Sequence, residues 1–101
     1  MKKFKILIPV YNDWQSLFKL LDEINKAIQS IKNSDFSFII INDCSTIQVP
    51  EIKVPSNASS LKLINMKKNK GHARCNAFAI RYLAKNDNFD YLIVMDGDGE
   101  D

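Results

Sequence analysis

Apolar residues along this chain fall into short unbroken runs, separated by stretches in which they recur every three or four positions. The first run, Phe4 followed by Ile6 to Val10, is nearly continuous rather than alternating. That predicts a strand over residues 4–10 buried on both faces, with Pro9 near its end removing one ladder donor. Asn12 and Asp13 then offer helix-capping side chains, after which Trp14, Leu17, Leu20, Leu21, Ile24, Ile28 and Ile31 recur at helical spacing. A long amphipathic helix follows.

The second run, residues 36–41, is apolar and β-branched and is closed by Asn42-Asp43-Cys44-Ser45-Thr46. It predicts a second buried strand ending in turn chemistry. Residues 47–60 show no period and contain Pro50 and Pro55, so they predict a loop with at most a short helical turn. A short third strand is expected over 61–64, then a polar, lysine-rich connection over 65–71. The next helix is expected over 72–84, with Ala73, Ala77, Ile80 and Ala84 as its apolar side and Phe78 on the flank. A turn over 86–90 leads to a fourth strand over 91–95. The order βαβ, loop, βαβ predicts one α/β domain over residues 1–101. Its mostly parallel sheet of about four strands should carry helices on both faces and right-handed crossovers.

Composition narrows the function. Of the 101 residues 46% are hydrophobic and 26% charged, and the net charge of +2 gives no polyanion-binding tail. The apolar runs are far shorter than the roughly 20 residues that span a bilayer. The basic start, Met1-Lys2-Lys3, is not followed by a secretory core or cleavage site. A cytoplasmic chain is expected, with membrane association reserved for a segment beyond residue 101. Cys44 and Cys75 lack metal-ligand spacing and are expected to be free thiols. Nucleic acid is not an expected partner, because Trp14, Phe78 and Tyr82, which could stack bases, take core-like positions.

In parallel α/β sheets, ligands bind at the carboxyl ends of the strands. Three of the four predicted exits are polar: Tyr11-Asn12-Asp13, Asn42-Asp43, and Asp96 with Asp98. The first could be only a cap, the second only a turn, and the acidic end only a solvated tail. Together they specify one crevice. Asp96 and Asp98 have a single glycine between them, so both carboxylates can turn toward one hard cation such as Mg²⁺ or Mn²⁺. Lys67, Lys68, Lys70, His72 and Arg74 gather around Gly71 at the start of the second helix. Cations and backbone N–H groups there suit a phosphate, with Arg74 the preferred partner and Lys67 and Lys68 solvated. A metal pair, a carboxylate for a base or ribose and a cationic helix start fit a nucleoside diphosphate. A bound metal would stabilise that diphosphate as a leaving group.

Four segments in order carry a family resemblance: Ile6-Leu7-Ile8-Pro9-Val10-Tyr11-Asn12-Asp13, Ile39-Ile40-Ile41-Asn42-Asp43-Cys44-Ser45-Thr46, Asn69-Lys70-Gly71-His72-Ala73-Arg74-Cys75-Asn76, and Val94-Met95-Asp96-Gly97-Asp98. Across essentially its whole length the chain resembles the family 2 glycosyltransferases of the GT-A fold, whose donor-binding half is Rossmann-like. The resemblance implies a nucleotide-diphospho-sugar donor, transfer to a saccharide, lipid or protein acceptor, an inverting outcome, and Mg²⁺ or Mn²⁺. It places Pro9, Tyr11 and Asp13 in the first donor-binding segment, Asp43 on the nucleoside base and Ile41 along that pocket. It places Gly71 and Arg74 near the donor and assigns Asp96 and Gly97 to the diphosphate motif. Asp96, Asp98 and Glu100 are the implied metal ligands, with Asp98 the most direct.

Two departures bear on the implied activity. Where the family commonly has two acidic residues and a glycine, this chain has Asn42, Asp43 and Cys44, so one carboxylate is lost and the turn is less permissive. The family's acceptor site and general base lie beyond the Asp-x-Asp, past residue 101. These residues are therefore expected to bind the donor with little turnover of their own, leaving a non-catalytic nucleotide-sugar binder as the alternative. A haloacid-dehalogenase-type phosphohydrolase also uses Asp-x-Asp, but Glu100 stands where that family has Thr or Val. A calcium loop would need glycine at Asp101. A dinucleotide fold would need glycine between Val10 and Trp14.

Overall fold

A computed structural model of the chain describes residues 1–69, 71–86 and 88–95. Strand β1 (Lys2–Val10) and strand β2 (Ser34–Asn42) form the centre of a sheet completed by β3 (Ser60–Asn65) and β4 (Tyr91–Val94). All pairings are parallel, in the order β3-β2-β1-β4. Helix α1 (Trp14–Ile28) joins β1 to β2, and helix α2 (His72–Asn86) joins β3 to β4. This is the α/β architecture the apolar runs predict, with the strands one or two residues longer at some ends.

Alternation along the strands sorts the core into two layers, because successive side chains point to opposite faces. Ile6, Ile8, Val10, Phe36, Phe38 and Ile40 pack with Trp14, Leu17, Leu21, Ile24 and Ile28 of α1. On the other face, Leu7, Ile39 and Ile41 pack with Cys75, Ala79 and Leu83 of α2. The periodic stretch in the first helix extends one apolar residue too far. Ile31 lies beyond the helix, which stops at Ile28, and is 48% exposed.

The buried side of α2 differs from the expected one. Cys75, Ala79 and Leu83 face the sheet, whereas Ala73, Ala77 and Ala84 are exposed and Ile80 is 41% exposed. At about 100° per residue, the expected stripe is centred about 130° around the helix from the buried one. Small side chains at Cys75 and Ala79 let α2 approach Leu7, Ile39 and Ile41 closely, while the larger Ile80 and Phe78 stay outside. Residues 43–59 have no helix or strand, as expected. Val49, Ile52 and Ala58 nevertheless pack against the α1 layer.

The end of the sheet remote from the strand exits is pinned by rings. Phe4 stacks on Phe36 at 5.0 Å and on Tyr91 at 4.9 Å, matching the register Phe4↔Phe36 and Phe4↔Tyr91. At the other end, Pro9 explains how a proline sits in a central strand. Odd-numbered residues of β1 bond toward β4, as Asp90 N–H does to Lys3 O and Met95 N–H to Leu7 O, so the donor missing at Pro9 lies on that side. Among the described residues, the β1–β4 ladder runs from Phe4↔Tyr91 to Leu7↔Val94, short of Pro9. Helices α1 and α2 cover opposite faces of the sheet, and α/β sheets of this kind bind ligands beyond the carboxyl ends of their strands.

Candidate functional site at the strand exits

Chain direction brings the exits of β1, β2 and β3 together. Asp43 N–H donates to Val10 O at 2.9 Å and Met66 N–H to Asn42 O at 2.9 Å, continuing the ladder one step past the strands. Asp43 itself is 1% exposed. Its Oδ2 accepts from Gly71 N–H at 2.8 Å, and its carbonyl accepts from Asn69 Nδ2 at 3.3 Å. A buried carboxylate must have such partners, since desolvating it unpaired would be costly. Gly71 has φ +79°, open to glycine without strain, and an added Cβ would meet nothing within 4 Å. Backbone angle, rather than lack of space, makes the residue a glycine.

Asp13 caps α1, accepting from Ser16 N–H at 3.2 Å through Oδ1 and from Ser16 Oγ at 2.8 Å through Oδ2. Its capping role is therefore present alongside any contact with a ligand. Tyr11 is 41% exposed at the β1 exit. Pro9 is buried opposite Ile41, and Ile41 is fully buried in the α2 layer. Arg74 is exposed in the first turn of α2. The structure thus gathers Pro9, Tyr11, Asp13, Asp43 and Gly71 at one end of the sheet, with Arg74 on the helix that Gly71 precedes. Asp96, Gly97, Asp98 and Glu100 lie outside the described residues. Met95, just before them, donates its N–H to Leu7 O at 2.9 Å. Among the described residues, no group of three or more His, Cys, Asp and Glu side chains is placed to hold a metal ion.

Polar residues that drew no binding role in the sequence join these exits. Asn42 is 6% exposed, donating from Nδ2 to Asn65 Oδ1 at 2.9 Å and accepting Ser45 N–H at Oδ1, also at 2.9 Å. An amide does both jobs at once, which gives the departure from an acidic residue here a structural use. Asn12 makes a parallel bridge to residues 45–47. The signal in the sequence was only a polar residue following each strand, and a contact across 33 to 35 positions leaves no local period.

Cys44 has φ 58°, in the left-handed region where the family commonly has glycine. Side chains there crowd the backbone, at about 1–2 kcal/mol per residue. The thiol is half-buried and lies 3.5 Å from Lys67 O. Cys44→Gly is expected to raise unfolding stability by up to about 1 kcal/mol, and Cys44→Val to lower it by about the same amount. Melting temperatures in the order Gly, Cys, Val check this; any other order contradicts it.

The sequence profile described as "Glycosyl transferase family 2" matches residues 5–101. A poly(ribitol-phosphate) beta-N-acetylglucosaminyltransferase, TarS, of Staphylococcus aureus strain Mu50 is 31% identical over 72 residues, covering 70% of this chain and 12% of that protein. The TarS protein of strain MW2 matches with the same identity and coverage. The chain therefore spans about an eighth of the length of these curated relatives.

Proposed function

Because the chain belongs to glycosyl transferase family 2, with the family profile running from residue 5 to residue 101, we propose that it forms the donor-binding part of a glycosyltransferase. It takes a nucleotide-diphospho-sugar at the exits of β1, β2 and β4 and serves transfer of the sugar to an acceptor. The observation that carries the reading is the buried Asp43, fixed between Val10 and Gly71 at the strand exits; the family resemblance implies that its carboxylate accepts from the nucleoside base. Tyr11 offers an exposed ring at the β1 exit, and Arg74 a cation on the first turn of α2. The sugar of the S. aureus relatives, N-acetylglucosamine by their names, makes the corresponding nucleotide sugar the first donor to test.

Asp96, Asp98 and Glu100 form an all-carboxylate donor set, which suits Mg²⁺ or Mn²⁺ over softer metals. When bound, the metal would neutralise charge on the departing diphosphate. In sequence, the single residue between the two aspartates is Gly97, which has no side chain to crowd a bound diphosphate. The protein's own contribution is to hold the base at Asp43 and Tyr11 and the phosphates near Arg74, so that the bond to the sugar faces the acceptor side. Transfer itself, inverting in this reading, draws on a general base and an acceptor site in addition to these donor-binding residues. No helix among the described residues is long and apolar enough to cross a membrane. A cytoplasmic setting suits a nucleotide-sugar donor.

Calorimetric titration with UDP, GDP and their sugars in Mn²⁺ tests the reading. Saturable binding of one nucleoside diphosphate is expected. Failure of every one to bind up to about 1 mM, equivalent to about −4 kcal/mol, would contradict it.

A further inference from the structure

Asn12 lies between Tyr11 and Asp13, and the family resemblance gives it no role. Its φ is 62°, a left-handed conformation that asparagine tolerates better than most residues. Its backbone N–H donates to Ser45 Oγ at 2.9 Å, and its Nδ2 donates to Thr46 Oγ1 at 3.0 Å. Its Oδ1 accepts from Thr46 N–H at 2.8 Å and from Ile47 N–H at 3.1 Å. One residue thus ties the β1 exit to the segment that directly follows Asp43 and Cys44.

We propose that Asn12 is a positioning residue for the donor: its side chain clamps residues 46–47 to the β1 exit and so fixes the segment that follows Asp43 next to the residues proposed to hold the base. The inference rests on the nucleotide reading of that pocket. The β2 exit has a second anchor in the bond from Asp43 N–H to Val10 O, which joins strand to strand. Past Asp43 the chain turns through the left-handed Cys44; Asn42 Oδ1 holds Ser45 N–H, and the Asn12 side chain supplies the cross-links to Thr46 and Ile47. Without them the turn keeps its strand attachment, and residues 46–47 lose their tie to the β1 exit.

The chemistry required of position 12 is narrow. It must tolerate positive φ, accept two N–H groups and face the Thr46 hydroxyl. Asparagine meets all three. Aspartate also accepts both N–H groups, and the Thr46 hydroxyl can turn to donate to it. Glycine meets only the backbone requirement, and so removes the clamp without adding strain.

The test compares Asn12→Gly and Asn12→Asp with the unaltered chain by titration with UDP in Mn²⁺ and by hydrogen exchange at the Thr46 and Ile47 amides. Asn12→Gly is expected to keep the wild-type circular dichroism, to exchange both amides at least about tenfold faster, and to bind UDP about tenfold more weakly. Asn12→Asp is expected to return affinity and exchange to within about threefold of wild type. Should Asn12→Gly not fold, Thr46→Val, which removes the acceptor for Asn12 Nδ2, is expected to weaken UDP by about threefold, and unchanged affinity there overturns the proposal. Unchanged UDP affinity in folded Asn12→Gly, or no recovery in folded Asn12→Asp, overturns the proposal. If the unaltered chain binds no nucleoside diphosphate, the nucleotide reading fails and the positioning role falls with it. Accelerated exchange in Asn12→Gly would then show a clamp that serves only the fold.

Discussion

Replacing Phe38 by alanine lowers the unfolding free energy by about 3–5 kcal/mol in urea titration, the expected cost of deleting a buried aromatic side chain. Phe38 is fully buried on β2, between Ile6 of β1 and Leu61 of β3 in register, in the layer beneath α1. The fixed neighbours on both strands and the helix limit how far the site can collapse, so most of the cavity should remain. Against a stability of about 5–15 kcal/mol for a domain of ordinary size, that loss brings the chain near its unfolding limit. Phe18→Ala gives an internal control. Phe18 lies on α1 but is 39% exposed, and its loss should cost about 1 kcal/mol or less. Similar losses for the two variants would mean that the layer beneath α1 is not the main core.

Asp43→Ala should affect both stability and binding. It deprives Gly71 N–H of its acceptor at 2.8 Å, and a hydrogen bond to a charged group contributes about 1.5–3 kcal/mol. It also removes the acceptor proposed for the nucleoside base, so UDP affinity should fall about a hundredfold, or roughly 2.7 kcal/mol. Asp43→Asn separates the two effects. It retains an oxygen acceptor for Gly71 N–H, and should recover most of the stability. It presents a less basic acceptor to the base, so affinity should stay at least about tenfold below wild type. Wild-type UDP affinity in folded Asp43→Ala would reduce Asp43 to an anchor for the segment leading into α2.

Residues 6–10 and 36–41 were readable as buried parallel strands because nearly every position is apolar, and burial on both faces requires that. The α1 face was equally clear, its large aliphatic residues recurring over the full helix. The α2 face was misread for a physical reason. A helix packed close to a sheet buries small residues, and Cys75 and Ala79 carry less hydrophobic weight in a pattern than the exposed Ile80 and Phe78.

The convergence of the β1 and β2 exits followed from strand direction alone, and placed Tyr11, Asp13 and Asp43 at one end of the sheet. The links that hold them were not legible. Asn12 to Thr46 and Asn42 to Asn65 join distant positions through single side chains, and the left-handed turn at Cys44 uses a residue that does not announce positive φ. The proposed metal motif at Asp96 and Asp98 was legible as sequence, through its position after the apolar residues of β4.

The most direct measurement for the nucleotide-sugar pocket is the Mn²⁺ dependence of UDP binding by wild-type chain and by Asp98→Ala. In wild type, Mn²⁺ should strengthen binding at least about tenfold, or about 1.4 kcal/mol, and Asp98→Ala should abolish that gain while leaving the fold intact. Equal UDP affinity with and without Mn²⁺, unchanged by Asp98→Ala, would contradict the assignment of Asp96-Gly97-Asp98 to a metal-bound diphosphate.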